Sequence, residues 1–207
     1  MIITKIERQK KNRSRFSVFV DDRYAFSVGE EVYGRFMLHQ DQQLTESERQ
    51  EIESAESEAT VKMAALRFRS YRPRSIHEVS EHLRKKGYED QTIQRALTYL
   101  TENHLLDDTE FARMMCRDRL KLRPVGKITM KQLLIKKGID RSVIDSVLRE
   151  IFTEHTEAEI ALRDAERKHR RIALLPPLER KKKLYGHLVR RGYNSSLAMN
   201  IVNQLVK

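Results

Sequence analysis

Tryptophan is missing from the 207-residue sequence, and there is a single cysteine, Cys116. One cysteine excludes an internal disulfide, and with no CxxC pair and no Cys/His cluster the sequence offers no zinc site; a reducing compartment, the cytoplasm, is expected. No apolar run approaches the roughly 18 residues that span a bilayer. The opening MIITKIERQKK lacks the apolar core of about 7 to 15 residues that a secretory signal requires. Only seven glycines and four prolines are present, which argues against a loop-rich or collagen-like chain. No GxxxxGK[ST] loop cradles phosphate, and no GxSxG or Cys/His pairing supplies an activated nucleophile. Neither a cofactor nor an enzyme activity is expected.

Charge is plentiful. Charged residues make up 34% of the chain against 39% hydrophobic, and mean hydropathy is −0.66. That composition suits small, highly charged helical modules in series better than one large core. The net charge of +11 and pI near 9.8 predict attraction to nucleic acid, an acidic protein or an anionic membrane. Residues 1–60 hold nine Lys/Arg against twelve Asp/Glu, whereas residues 61–207 hold 32 against 18. The later part carries the basic character.

The first segment alternates with a period of two. Phe16, Val18 and Val20 share one face, Tyr24, Phe26 and Val28 another, and Asp21-Asp22 lies between them, so a β-hairpin is predicted, with Ile2 to Ile6 as a third strand. Ser27 and Glu30 have the spacing of a capping box and predict a helix over 28–38. Thr45 and Glu48 predict another, opening a long helix through residue 69 whose acidic first half has almost no apolar face. That half is expected to project, or to pack only through its Val61, Ala65 and Phe68 end.

Beyond it, one phrase recurs: LRKKGY at 83–88, LIKKGI at 134–139 and LVRRGY at 188–193. A shift of 51 residues carries Arg72, Pro73, Val79, Leu83, Gly87, Ile93 and Leu97 onto Arg123, Pro124, Met130, Leu134, Gly138, Ile144 and Leu148. A further shift of 54 carries Met130, Leu134, Gly138 and Leu148 onto Leu184, Leu188, Gly192 and Val202. An internal repeat of this length signals stacked helical units. Each unit reads as three helices, nine in all.

The phrase has two readings. As a helix ending, glycine sits just past the last turn in the left-handed conformation, Leu83 and Tyr88 form the apolar pair of a Schellman motif, and the basic pair faces the negative helix pole for about 0.3–1 kcal/mol. As a functional element, the same pairs grip a polyanion. The ending is the more economical reading. Arg72-Pro73-Arg74 and Arg123-Pro124-Val125-Gly126 each precede a unit's second helix, where a helix N-terminus favours anions. Tyr71, Tyr185 and Tyr193 are weaker candidates for base stacking. Asp107 and Asp108 suggest acid chemistry, but Asp107 with Glu110 reads as an N-cap, and His77 and His82, five apart, fall on different helix faces.

With the repeats placed, RPRSIHEVSEHLRKKGY, LLDDTEFA, RPVG with LLIKKGI, and KLYGHLVRRGY, in that order, resemble the RecX family of regulators of the RecA recombinase. The resemblance covers residue 60 or so onward; the hairpin before it is an extension that some members lack. It implies a mainly α fold: three tandem three-helix repeats in an elongated, curved, right-handed arrangement behind a small β-element. It also implies docking into the helical groove of the RecA filament on single-stranded DNA, with inhibition of ATP hydrolysis and strand exchange. The expected divisions are 1–40, 41–104, 105–153 and 154–207, and the expected state is a monomer. Charge and repeat position, rather than the family, nominate Arg72, Arg74, Lys85, Lys86, Arg123, Lys127, Lys136, Lys137, Arg190 and Arg191 as contacts to the filament or its DNA. The rival expectation is a stand-alone nucleic-acid-binding repeat protein.

Overall fold

The computed structural model describes residues 1–154 and 156–206. Strands β1 (Ile3–Arg8), β2 (Arg15–Val20) and β3 (Arg23–Gly29) form an antiparallel sheet in that order. The β2–β3 turn carries positive φ at both Asp21 (48°) and Asp22 (63°), the mirror-image turn whose twist matches that of a hairpin. Phe16 pairs with Val28 and Val18 with Phe26, as the alternation predicts.

Helix α1 (Glu30–Arg35) is shorter than the predicted 28–38, and Ser27 does not cap it. Ser27 stays in the ladder opposite Ser17, and its hydroxyl is engaged by Gln9 Nε2 at 2.9 Å and by the Tyr24 hydroxyl at 3.0 Å. The ladder claims the residue before a cap can form.

Helix α2 (Glu46–Ser70) opens on the Thr45–Glu48 capping box, as expected. Its acidic half does not project. Ile52 is buried with Ile3, Val18, Phe26 and Val28, and Ala55 and Ala59 pack beside it. Ile52, Ala55 and Ala59 stand at i, i+3 and i+7, a stripe narrow enough to be hidden among glutamates yet small enough to let helix and sheet approach closely. Glu56 secures the contact: its carboxylate accepts the Gly29 N–H at 2.7 Å and pairs with Arg15 at 2.8 Å.

The chain divides into two compact units, Met1–Pro73 with Val79–Leu106, and Arg74–Glu78 with Asp107–Lys207. In the first, α2 packs on α4 (Asp90–Glu102), and Phe68 of α2 stacks on His82 of α3 (Ile76–Lys85) with ring centroids 3.8 Å apart. Val61 and Ala65 of α2, Val79 and Leu83 of α3, and Ile93, Ala96 and Leu100 of α4 are buried.

The second unit has two adjoining cores. One is built by α5 (Asp108–Leu122), α6 (Lys127–Lys136) and α7 (Arg141–Glu154) around Cys116, Met130, Leu134, Ile144 and Leu148. The other is built by α8 (Glu157–Arg171), α9 (Pro177–Arg190) and α10 (Ser195–Leu205) around Ile160, Leu184, Leu188, Tyr193 and Val202. Leu120 and Phe152 pack against both. Among the described residues the fold is thus mainly α, with three three-helix units and a small sheet, and α2 to α10 are the nine helices of the repeats. Among the described residues six of them are capped, by Thr45 and Asp107 as the sequence predicts and also by Ser75, Asp140, Thr156 and Asn194.

Candidate nucleic-acid interface

All three copies of the repeated phrase are Schellman endings. Gly87, Gly138 and Gly192 have φ of 84°, 71° and 80°. The Tyr88, Ile139 and Tyr193 N–H groups donate back to the carbonyls of Leu83, Leu134 and Leu188 at 3.4, 3.2 and 3.2 Å. This geometry explains the leucine, the glycine and the apolar residue after it.

The second and third copies do something more. In the second unit, Ser75 Oγ donates to the Lys137 carbonyl at 2.7 Å, and the aligned Gly126 N–H donates to the Arg191 carbonyl at 2.8 Å. Gly138 lies against the His77 side chain and Gly192 against Thr129, so closely that a methyl on either glycine would overlap its neighbour, and Gly126 is equally tight against the Gly192 backbone. Each turn therefore clasps the start of a helix one repeat earlier in sequence. Carboxylates complete the clasp: Asp108 accepts the Ile76 N–H at 2.9 Å, and Glu157 accepts the Lys127 N–H at 2.8 Å. Burial pushes the Asp108 carboxyl above its ordinary value, against the smaller opposing effect of that bond. The anion sites predicted at these helix starts are thus filled by the protein's own side chains.

The clasp accounts for two of the ten nominated cations. Lys137 Nζ lies 2.7 Å from Glu78, and the Arg191 guanidinium donates to the Pro124 carbonyl at 3.1 Å while approaching Asp164 at 3.9 Å. Arg74 is partly buried and Arg72 donates to the Pro73 carbonyl at 2.9 Å. Lys85, Lys86, Arg123, Lys127, Lys136 and Arg190 have exposed side chains. In the second unit, the clasp gathers Arg123, Lys127 and Arg191 around the start of α6, and places Lys136 and Lys137 beside the start of α3. Lys85 and Lys86 end α3 in the first unit, where nothing lies within 4 Å of a methyl built on Gly87.

A second cationic feature escapes the sequence reading. A cleft of about 390 Å³ in the second unit is lined by Arg117 and Lys121 of α5 and Arg163 and Arg167 of α8. Among the described residues its remaining lining is apolar: Leu120, Pro124, Ile151 and Ile160. The signal was present as two cation pairs at i, i+4. What no linear pattern reports is that α5 and α8, more than thirty residues apart, face one another.

The other candidates resolve into structure. Tyr193 is a core residue whose phenol burial pushes upward, Tyr185 packs against the same core, and Tyr71 is exposed. Asp107 caps α5 by accepting the Thr109 and Glu110 N–H groups at 2.7 and 3.1 Å. Among the described residues no group of three or more His, Cys, Asp or Glu side chains is placed to hold a metal, and no helix is long and apolar enough to cross a membrane.

Together these features define a helical-repeat protein fronted by a small antiparallel sheet, with cations at its repeated turns and around one cleft. The chain belongs to the RecX family. Four family models match it: "Regulatory protein RecX N-terminal domain" over residues 1–45, and the first, second and third RecX three-helix domains over 62–100, 107–148 and 155–202. The hairpin, first read as an extension outside the resemblance, thus falls within a domain of the family. The regulatory protein RecX of Listeria monocytogenes serotype 4b (strain F2365) is 33% identical over 96% of this chain and 73% of its own length. That of Bacillus licheniformis is 35% identical over 93% and 73%. A crystal structure of regulatory protein RecX superposes with a TM-score of 0.80 at 29% identity, covering 98% of each chain. A RecX structure from Lactobacillus salivarius, 24% identical, shares the fold with a TM-score of 0.65 over 73% of this chain.

Proposed function

We propose that this protein regulates homologous recombination by occupying the helical groove of the RecA filament on single-stranded DNA, restraining ATP hydrolysis and strand exchange without catalysing a reaction of its own. Membership of a family of regulatory proteins carries this reading. The surplus of Lys/Arg in residues 61–207 supports it, because a groove holding DNA phosphates favours cationic side chains. The protein works in the cytoplasm as a monomer, its working segments being 1–40, 41–104, 105–153 and 154–207. Arg72, Arg74, Lys85, Lys86, Arg123, Lys127, Lys136 and Arg190 supply contacts directly. Lys137 and Arg191 act chiefly by holding the turns that present their neighbours.

The test adds purified protein, at one copy per few recombinase protomers, to RecA on single-stranded DNA. ATP hydrolysis and strand exchange are expected to fall severalfold, and unchanged rates at that stoichiometry would sink the reading. The cationic cleft favours a second reading, a protein that grips nucleic acid unaided. It predicts the same affinity for DNA with and without the recombinase, whereas the first predicts that the filament is bound much more tightly than bare DNA.

A further inference from the structure

The cleft between α5 and α8 belongs to neither the clasp nor the repeated turns. Its cations come from two helices: Arg117 and Lys121, one turn apart on α5, and Arg163 and Arg167, one turn apart on α8. Four positive charges converge on a single compartment. Glu150 offsets one of them in part, lying 2.9 Å from Arg113 and 3.7 Å from Arg117. Among the described residues no acidic side chain lines the cleft itself. Lys121, Arg163 and Arg167 are exposed. Gathering like charges opposes folding, and it is offset when an anion enters.

The floor narrows the choice of anion. Ile151 and Ile160 are buried core residues that reach the cleft from beneath, and Leu120 and Pro124 complete an apolar surface beside the charged rim. A bare inorganic ion would leave that surface wet. A volume of about 390 Å³ lies within the roughly 300–1,000 Å³ of small-ligand sites. A nucleotide carries a phosphate and a flat, largely apolar ring side by side. Guanidinium groups bind phosphate oxygens in pairs and also stack on base planes, which suits a site whose described lining residues include three arginines and no aromatic ring.

We propose that this cleft holds one nucleotide, its phosphate among Arg117, Lys121, Arg163 and Arg167 and its base against Leu120, Pro124, Ile151 and Ile160. The nucleotide comes from a single strand or from free solution. The first source deepens the regulatory reading by fixing where a strand is held, and rests on that reading for the strand alone. Pro124 ties the site to the clasp, since its carbonyl receives the Arg191 guanidinium at 3.1 Å.

The experiment uses the full chain and no recombinase, so its failure is distinct from failure of the RecA assay. Binding of fluorescein-labelled oligothymidylate is followed by anisotropy for the unaltered protein, for R163E/R167E, and for K10E/K11E, which reverses two exposed charges of the first unit. Circular dichroism checks folding, and K121E serves if the double variant unfolds. R163E/R167E is expected to weaken binding tenfold or more and K10E/K11E less than threefold. A 4-thiothymidine-substituted strand is expected to crosslink within residues 117–124 or 151–167. Competition by thymidine monophosphate at millimolar concentration identifies the free nucleotide as a source; competition by oligonucleotide alone identifies the strand. Equal weakening by both variants, crosslinks confined elsewhere, equally effective competition by polyglutamate, or no binding by the unaltered protein overturns the proposal.

Discussion

At the scale of single residues, three glycines with one conformation have unequal surroundings, and that inequality is measurable. Alanine at any of them takes on left-handed strain of about 1–2 kcal/mol. At Gly87 nothing else is touched, whereas at Gly138 and Gly192 the methyl meets His77 or Thr129, adding an overpacking cost of about 1–3 kcal/mol. Chemical denaturation is expected to rank G192A and G138A as clearly more destabilised than G87A; equal losses would reduce the clasp to a helix ending. Cys116 supplies a check on the core between α5 and α7. Its thiol is fully buried and burial pushes its pKa up to about 11, so the reactive thiolate is scarce at pH 8. A disulfide reagent such as Ellman's is expected to leave the folded protein unlabelled for hours and to label it within minutes in denaturant. The sequence announced the glycines, because Leu-x-x-x-Gly-apolar is a local pattern with a local cause. It was silent on what presses against them, since His77 and Gly138 meet only through the fold.

At the scale of elements, local and tertiary signals part company in the same way. Capping boxes at Thr45, Ser75 and Thr156 formed where an unpaired helix start needed an acceptor. The same spacing at Ser27 failed because sheet partners had already taken the residue. Helix α2 shows the opposite error: its acidic half looked unable to pack, because alanines at 55 and 59 contribute little to an apolar pattern while permitting close approach. Ile52 is the one large side chain on that stripe, 1% exposed among the sheet residues. Truncating it to alanine is expected to cost about 2–5 kcal/mol. The loss should be local. Amide hydrogen exchange in β1 to β3 is expected to accelerate well before exchange in α5 to α10, because the latter carry their own cores. Uniform acceleration along the chain would contradict this division of labour.

For the whole molecule, the repeat and the charge bias were legible because both are sums over sequence, insensitive to how helices are oriented. The cleft was not, since it exists only where two distant cation pairs are brought face to face. Yet it converts a diffuse quantity, a net charge of +11, into a local and countable one. Phosphates neutralised by fixed cations release counterions, and for single strands the logarithm of affinity falls with the logarithm of salt at about −0.7 per phosphate engaged. One phosphate seated among the four cleft cations accounts for about −0.7 of the slope measured with oligothymidylate. Reversing Arg163 and Arg167 expels that phosphate and reduces the steepness by about 0.7, and K10E/K11E leaves it unchanged. Titrations between 50 and 200 mM salt read this directly. A slope indistinguishable from zero in the unaltered protein would mean that the basic surplus meets acidic protein surface rather than phosphate. A steep slope unmoved by substitution at Arg163 and Arg167 would place the phosphates elsewhere, with the exposed cations of the repeated turns as the next to be reversed.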